Sequence, residues 1–268
     1  MTSQQPIHFH QRSTGKAGAR FAFASGKTQL KDLYQLGSAK AIILDEREAV
    51  FLNTSGGLTG GDILEYSLTI GPNAMVCGTT QTAERIYRSS SGAAHMKVSM
   101  RVAAGAHLDW LPQETILFDR AQARRKTEIL LAPGATCLMA ETVILGRAAM
   151  GETVSTIDFR DMRVITSAGR PVHFEALKLD SERLRATRAG LNGAGAMATV
   201  VLVAPNAERL LSVVRHALDG RQIRAAASST VGRLIIRFLA KDALPLRKQL
   251  TEILTLLRGS PLPRVWQI

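Results

Sequence analysis

L-T-I-G-P-N-A-M-V-C at 68–77, M-R-V-A-A-G-A-H-L-D at 100–109 and I-L-L-A-P-G-A-T-C-L at 129–138 are three loose copies of one pattern. Each reads as an apolar strand, a corner of small residues or of Pro and Gly, and a second apolar strand. Their shared alanines, Ala74, Ala106 and Ala135, stand 32 and 29 residues apart. One strand–corner–strand unit cannot bury its apolar face alone, so a repeat of about 30 residues predicts stacking. The expected fold is mainly β, either β-helical or layered.

The strands around the repeat support this. Leu64, Tyr66, Leu68 and Ile70 alternate with polar residues, as do Met96, Val98, Met100 and Val102, the period of a half-buried strand. Ser167-Ala168-Gly169-Arg170 reads as a hairpin turn, and Ala198 to Val203 and Leu234 to Leu239 as further strands. The C-terminal third adds about two helices. Asn206 is a candidate N-cap for one, with Leu210, Leu211, Val214 and Leu218 on one face and Gly220 closing it. The other starts near Pro245, turns Leu246, Leu250, Ile253, Leu254 and Leu257 inward, and stops at Gly259.

Ahead of the first copy lies N-T-S-G-G-L-T-G-G-D at 53–62, with glycine pairs Gly56-Gly57 and Gly60-Gly61. Glycine reaches backbone angles that other residues avoid, so the loop follows an unusual path. A strand follows it rather than a helix, so it is no phosphate cradle. It reads as a β corner that sets Asp62 at the mouth of the first repeat. Ser25-Gly26-Lys27-Thr28 imitates the end of a phosphate-binding loop, but Phe21 stands where that motif needs glycine.

The chain has 268 residues, 46% hydrophobic and 21% charged, the balance of a folded protein. The expected layout is a poorly ordered segment over 1–20 and a single β-rich domain over 21–268. No apolar run predicts a membrane span, and no basic-then-apolar leader opens the chain. A cytoplasmic protein is expected. The net charge of +12 favours acidic partners, and a basic nucleic-acid-binding protein is the alternative reading. Aromatic residues make up only 5%, few for a protein that stacks bases.

Catalytic patterns are weak. Ser55 lies in T-S-G-G rather than in a nucleophile elbow. Cys77 and Cys137 fall on predicted strands, where thiols are inert. The six histidines have no zinc spacing, although His8 and His10 of an extended segment would face one way. Three polar clusters are distinctive. They hold Gln81, Glu84, Arg85 and Tyr87, then Gln113 and Glu114, then Glu141, Arg147 and Glu152. They are either buried polar groups that satisfy each other or the lining of an interior path.

L-N-T-S-G-G-L-T-G-G-D at 52–62, Q-T-A-E-R-I-Y-R-S at 81–89, L-P-Q-E-T-I-L-F at 111–118, E-T-V-I-L-G-R-A-A-M-G-E at 141–152 and P-R-V-W at 263–266 together resemble the UreD (also called UreH) family of urease accessory proteins. The resemblance implies a β-helical, non-enzymatic scaffold for nickel insertion into urease. It implies a UreF-type partner, a UreG-type GTPase recruited through it, and contact with the urease apoprotein. Nickel would be transient cargo, with no cofactor held tightly. Asp62, Glu84, Glu114 and Glu141 would then be weak oxygen ligands along an internal route, since weak ligands suit transfer. The C-terminal helices would share in the UreF-type interface.

Overall fold

A computed structural model of the chain describes residues 12–147, 150–185, 190–221 and 223–267. The three repeats become three coils. Strands β1 (Thr14–Ala24), β2 (Lys27–Gly37), β3 (Ala39–Ile43) and β4 (Glu48–Asn53) lead into the first coil, β5 (Ile63–Ile70), β6 (Met75–Thr80) and β7 (Glu84–Ile86). The second coil is β8 (Ala94–Val102), β9 (His107–Leu111) and β10 (Thr115–Leu117), and the third is β11 (Ala121–Leu131) and β12 (Thr136–Leu145). The hairpin β13 (Ile157–Ser167) and β14 (Arg170–Asp180) follows, then β15 (Ala196–Val203), β16 (Arg224–Thr230) and β17 (Arg233–Ala240).

First strands of successive coils pair in parallel, β5 with β8 and β8 with β11, inside a seven-stranded sheet ordered β14-β13-β11-β8-β5-β1-β2. Second strands do the same, β6 with β9 and β9 with β12, in the facing sheet. The corner alanines stack: His107 N–H donates to the Ala74 carbonyl and Thr136 N–H to that of Ala106, at 2.9 and 3.0 Å. The result is a β-solenoid whose interior is sealed by Phe51, Trp110, Phe159 and Leu108. A third, short stack joins β7, β10 and the end of β12.

Among the described residues three α-helices complete the fold: α1 (Ser181–Arg185), α2 (Leu211–Leu218) and α3 (Ala243–Arg258). The last two cover the outer face of the second sheet and close a separate apolar layer with Val214, Leu250, Ile253, Phe238 and Leu138. α3 ends as expected, with Gly259 in the left-handed region at φ 64°. α2 does not start where expected. Asn206 opens a single 3-10 turn, and the helix runs only from Leu211 to Leu218, stopped by extended Asp219 rather than by Gly220.

The N-terminus needs a larger correction. Residues 14–20, expected to be poorly ordered, form the first half of β1, which pairs with both β2 and β5. Ser25 and Gly26, φ 52° and 77°, are the hairpin turn between β1 and β2. The phosphate-loop imitation is therefore a β-turn. Residues 1–11, with His8 and His10, lie outside the described residues.

Candidate functional site

The short stack sets the register of the site. Glu84 and Ile86 point into the solenoid and Arg85 points out, because side chains alternate along a strand. Glu84 stands directly beside Thr115, and Thr115 beside Val143. Asn53 Nδ2 donates to Glu84 Oε1 at 3.1 Å. Burial pushes the Glu84 carboxyl up to about 7, against the pull of the Asn53 hydrogen bond.

From Thr115 the polar row continues inward. Arg125 donates to Thr115 Oγ1 at 2.9 Å and grips Asp161 through two nitrogens. Glu141 accepts Thr127 Oγ1–H at 2.7 Å and Trp110 Nε1–H at 3.3 Å on one oxygen, and Arg163 Nε–H at 2.8 Å on the other. Arg163 also reaches Asp161 and donates to Glu175 at 2.7 Å, while Arg237 holds the second Glu175 oxygen at 2.9 Å. Although burial pushes the Asp161 carboxyl up, Arg125 and Arg163 hold it below the usual carboxylate range, and Glu175 is lowered in the same way by Arg163 and Arg237. Buried charges survive only when paired like this. The row ends at an opening of about 630 Å³ lined by Glu141, Arg163, Glu175, Leu179, Met197 and Arg237.

Of the four expected ligands, the structure thus places Glu84 and Glu141 in one interior row. It places the other two elsewhere. Asp62 is buried at the glycine loop and accepts the Ser13 and Thr59 N–H groups at 2.7 and 2.8 Å, one on each oxygen. Glu114 sits under α3 and accepts from Arg247 at 3.1 Å. Among the described residues no group of three or more His, Cys, Asp or Glu side chains is arranged to hold a metal. Asp62 and Glu114 thus stand apart from the interior row that holds Glu84 and Glu141.

Most of the remaining motif residues meet at two places. At the outer corner the Tyr87 ring stands edge-on to Phe118, with centroids 4.9 Å apart, and its hydroxyl donates to the Gly56 carbonyl. Arg147 lies 4.5 Å over Phe118 and donates to Glu152, which also accepts the Asp119 N–H. Gly57 has φ 148°, and a Cβ there would run into the Tyr87 ring and stand 2.7 Å from the Arg85 carbonyl. Gly60 is as tightly confined, against Ser89 and the Ser91 carbonyl, and Gly61 adopts φ 87°. Gln81 and Arg85 face solvent.

The second meeting point is a C-terminal latch. Gln113 Nε2 donates to the Val265 carbonyl at 3.1 Å, and Trp266 Nε1 to the Leu111 carbonyl at 2.9 Å. Arg247 of α3 donates to Gln113 Oε1 and stacks 5.0 Å from the Trp266 ring. Blocks 111–118 and 263–266, far apart in sequence, are therefore one contact. A second anchor, absent from the sequence reading, joins Arg258 to Asp109 at 2.7 Å and Asp109 to His107 at 2.9 Å.

Sequence comparison gives a consistent answer. A family model described as UreD urease accessory protein matches residues 13–267. The urease accessory protein UreD of Cereibacter sphaeroides is 52% identical over 263 residues, covering 96% of this chain and 96% of that one. Those of Paracoccus denitrificans and Rhizobium leguminosarum bv. trifolii are 46% and 41% identical, each covering 96% of this chain and 93% and 96% of their own.

Proposed function

The chain belongs to the UreD family of urease accessory proteins, which gives it a role in urease maturation; from that premise we propose that it is a non-enzymatic scaffold that helps deliver nickel to the urease active site. In this reading it works in the cytoplasm with UreF-type and UreG-type accessory proteins, binds the urease apoprotein, and takes nickel as passing cargo. The observation that supports the route is the interior polar row from Glu84 past Thr115 to Glu141 and Glu175.

Its chemistry suits transfer. Carboxylate oxygens met one or two at a time bind a divalent ion weakly and release it, whereas a His/Cys cage would retain it. Each carboxylate of the row is already shared with Asn53 or a guanidinium. A passing cation would compete with Arg125, Arg163 and Arg237 for these oxygens and with the proton on Glu84, which keeps its binding weak. Val213, Leu244 and Leu256 are exposed on α2 and α3, and that apolar surface is assigned to the UreF-type partner.

Co-purification tests the proposal. The tagged chain is expected to retain a UreF-type protein and the urease apoprotein. Glu84→Gln, at normal protein level, is expected to keep both partners and lose most urease activation. Failure of the native chain to retain either partner, or full activation by Glu84→Gln, contradicts the reading.

A further inference from the structure

The outer face of the seven-stranded sheet carries an arrangement that the fold does not need. Neighbouring strands place their residues side by side about 4.8 Å apart. One row across β8, β11, β13 and β14 reads His95, Arg124, Arg160, Lys178. In the next row Lys97 lies beside Lys126, with Glu65 on one side and Met162 and Ala176 on the other. Like charges set side by side repel, so these rows weaken the sheet they sit on.

Carboxylates answer part of this charge from the flanks: Asp158 pairs with Arg124, Glu128 with Lys126 at 2.8 Å, and Asp180 with Lys178 at 2.9 Å. Lys97 has no ionic partner among the described residues. The two rows line a groove of about 650 Å³ in which Ile63, Met162 and Ala176 add apolar surface. No Phe, Tyr or Trp side chain lines it.

We propose that this groove docks a protein segment that presents carboxylates along one side and apolar side chains along the other. The cationic rows complement the carboxylates, and Ile63, Met162 and Ala176 take the apolar side. Nucleic acid fits less well, because the groove offers no Phe, Tyr or Trp for bases to stack on and its apolar surface has no match on a phosphate backbone. The inference concerns the outer face of the sheet whose inner face carries Arg125 and Asp161, and does not depend on a nickel route.

Fluorescence anisotropy with the full chain at physiological salt tests it, using a short labelled helical peptide with one glutamate face and one leucine face, and a DNA duplex of equal charge. The peptide is expected to bind more tightly than the duplex, and the Lys97→Glu/Lys126→Glu double variant to lose at least about tenfold in peptide affinity. Should that variant not fold, Arg160→Gln/Lys178→Gln serves the same test. Lys97→Gln is expected to weaken the peptide and to raise the unfolding temperature by about 1 °C, the mark of relieved repulsion. Unchanged peptide affinity in the folded double variants, tighter binding of the duplex, or a lower unfolding temperature in Lys97→Gln overturns the proposal.

Discussion

Arg125 and Asp161 face each other inside the solenoid through two parallel hydrogen bonds, Nε to Oδ1 at 2.9 Å and the terminal nitrogen to Oδ2 at 2.6 Å. Both side chains are almost fully buried. A fork of this kind is the strong form of ion pair, but its formation costs two desolvations. Its loss on one side is therefore worse than its absence. Asp161→Asn is expected to lower the unfolding free energy by about 3–5 kcal/mol, measured by urea denaturation. Arg125→Met/Asp161→Leu should cost less than Asp161→Asn alone. A double variant that is the less stable of the two would show that the pair itself stabilises the interior.

Glu84 gives a pH signature. Its folded pKa of about 7 stands above the usual 4.5, because burial penalises the charged form. Between those values the folded chain keeps a proton that the unfolded chain releases, so stability falls as pH rises through the window. Glu84→Gln removes that loss. The variant is expected to exceed the native chain by about 1–3 kcal/mol above pH 8 and to match it near pH 4. Parallel pH profiles for the two would contradict the assignment of this carboxyl to the interior.

Trp266 closes the latch, with its ring buried and its N–H on the Leu111 carbonyl. Trp266→Ala removes a large side chain from the layer under α3 and is expected to cost about 3–5 kcal/mol in thermal or urea unfolding. It should also expose the chain after Gly259 to limited proteolysis, because Gln113 and Arg247 keep only the Val265 carbonyl as partner there. A protease-resistant tail in the variant would place the anchor elsewhere.

Two neighbouring glycines should behave differently. Gly56 has φ 80° with nothing within 4 Å of an added Cβ, so Gly56→Ala carries backbone strain alone, about 1 kcal/mol. Gly57→Ala adds a collision with Tyr87 and the Arg85 carbonyl, and is expected to cost at least about 2 kcal/mol more. Equal unfolding temperatures for the two variants would mean that the corner yields easily.

The coils were legible in the sequence because Ala74, Ala106 and Ala135 recur as small, buried residues at the corners, and the flanking strands alternate cleanly. β2 was not legible, since every residue from Gln29 to Gly37 is at least partly exposed, on both faces, and leaves no alternation. β7 and β10 are three residues each, too short to show a period, and β7 carries charges. The carboxylates of the motifs were visible as residues, but spacing could not separate Glu84, which faces inward, from Glu114, which is held under α3. Asp161 and Arg163 were missed although a signal existed. They share the inward parity of Phe159 and Ile165, and two charges in an apolar column mark a buried polar network. The latch joins residues about 150 positions apart, beyond the reach of any local pattern.

The most direct measurement is the nickel content of urease purified from cells that express its structural and accessory genes with and without this chain. Apoprotein nearly free of nickel is expected when the chain is absent, and full nickel with activity when it is restored. Urease that reaches its full nickel content without the chain would contradict a role in nickel delivery.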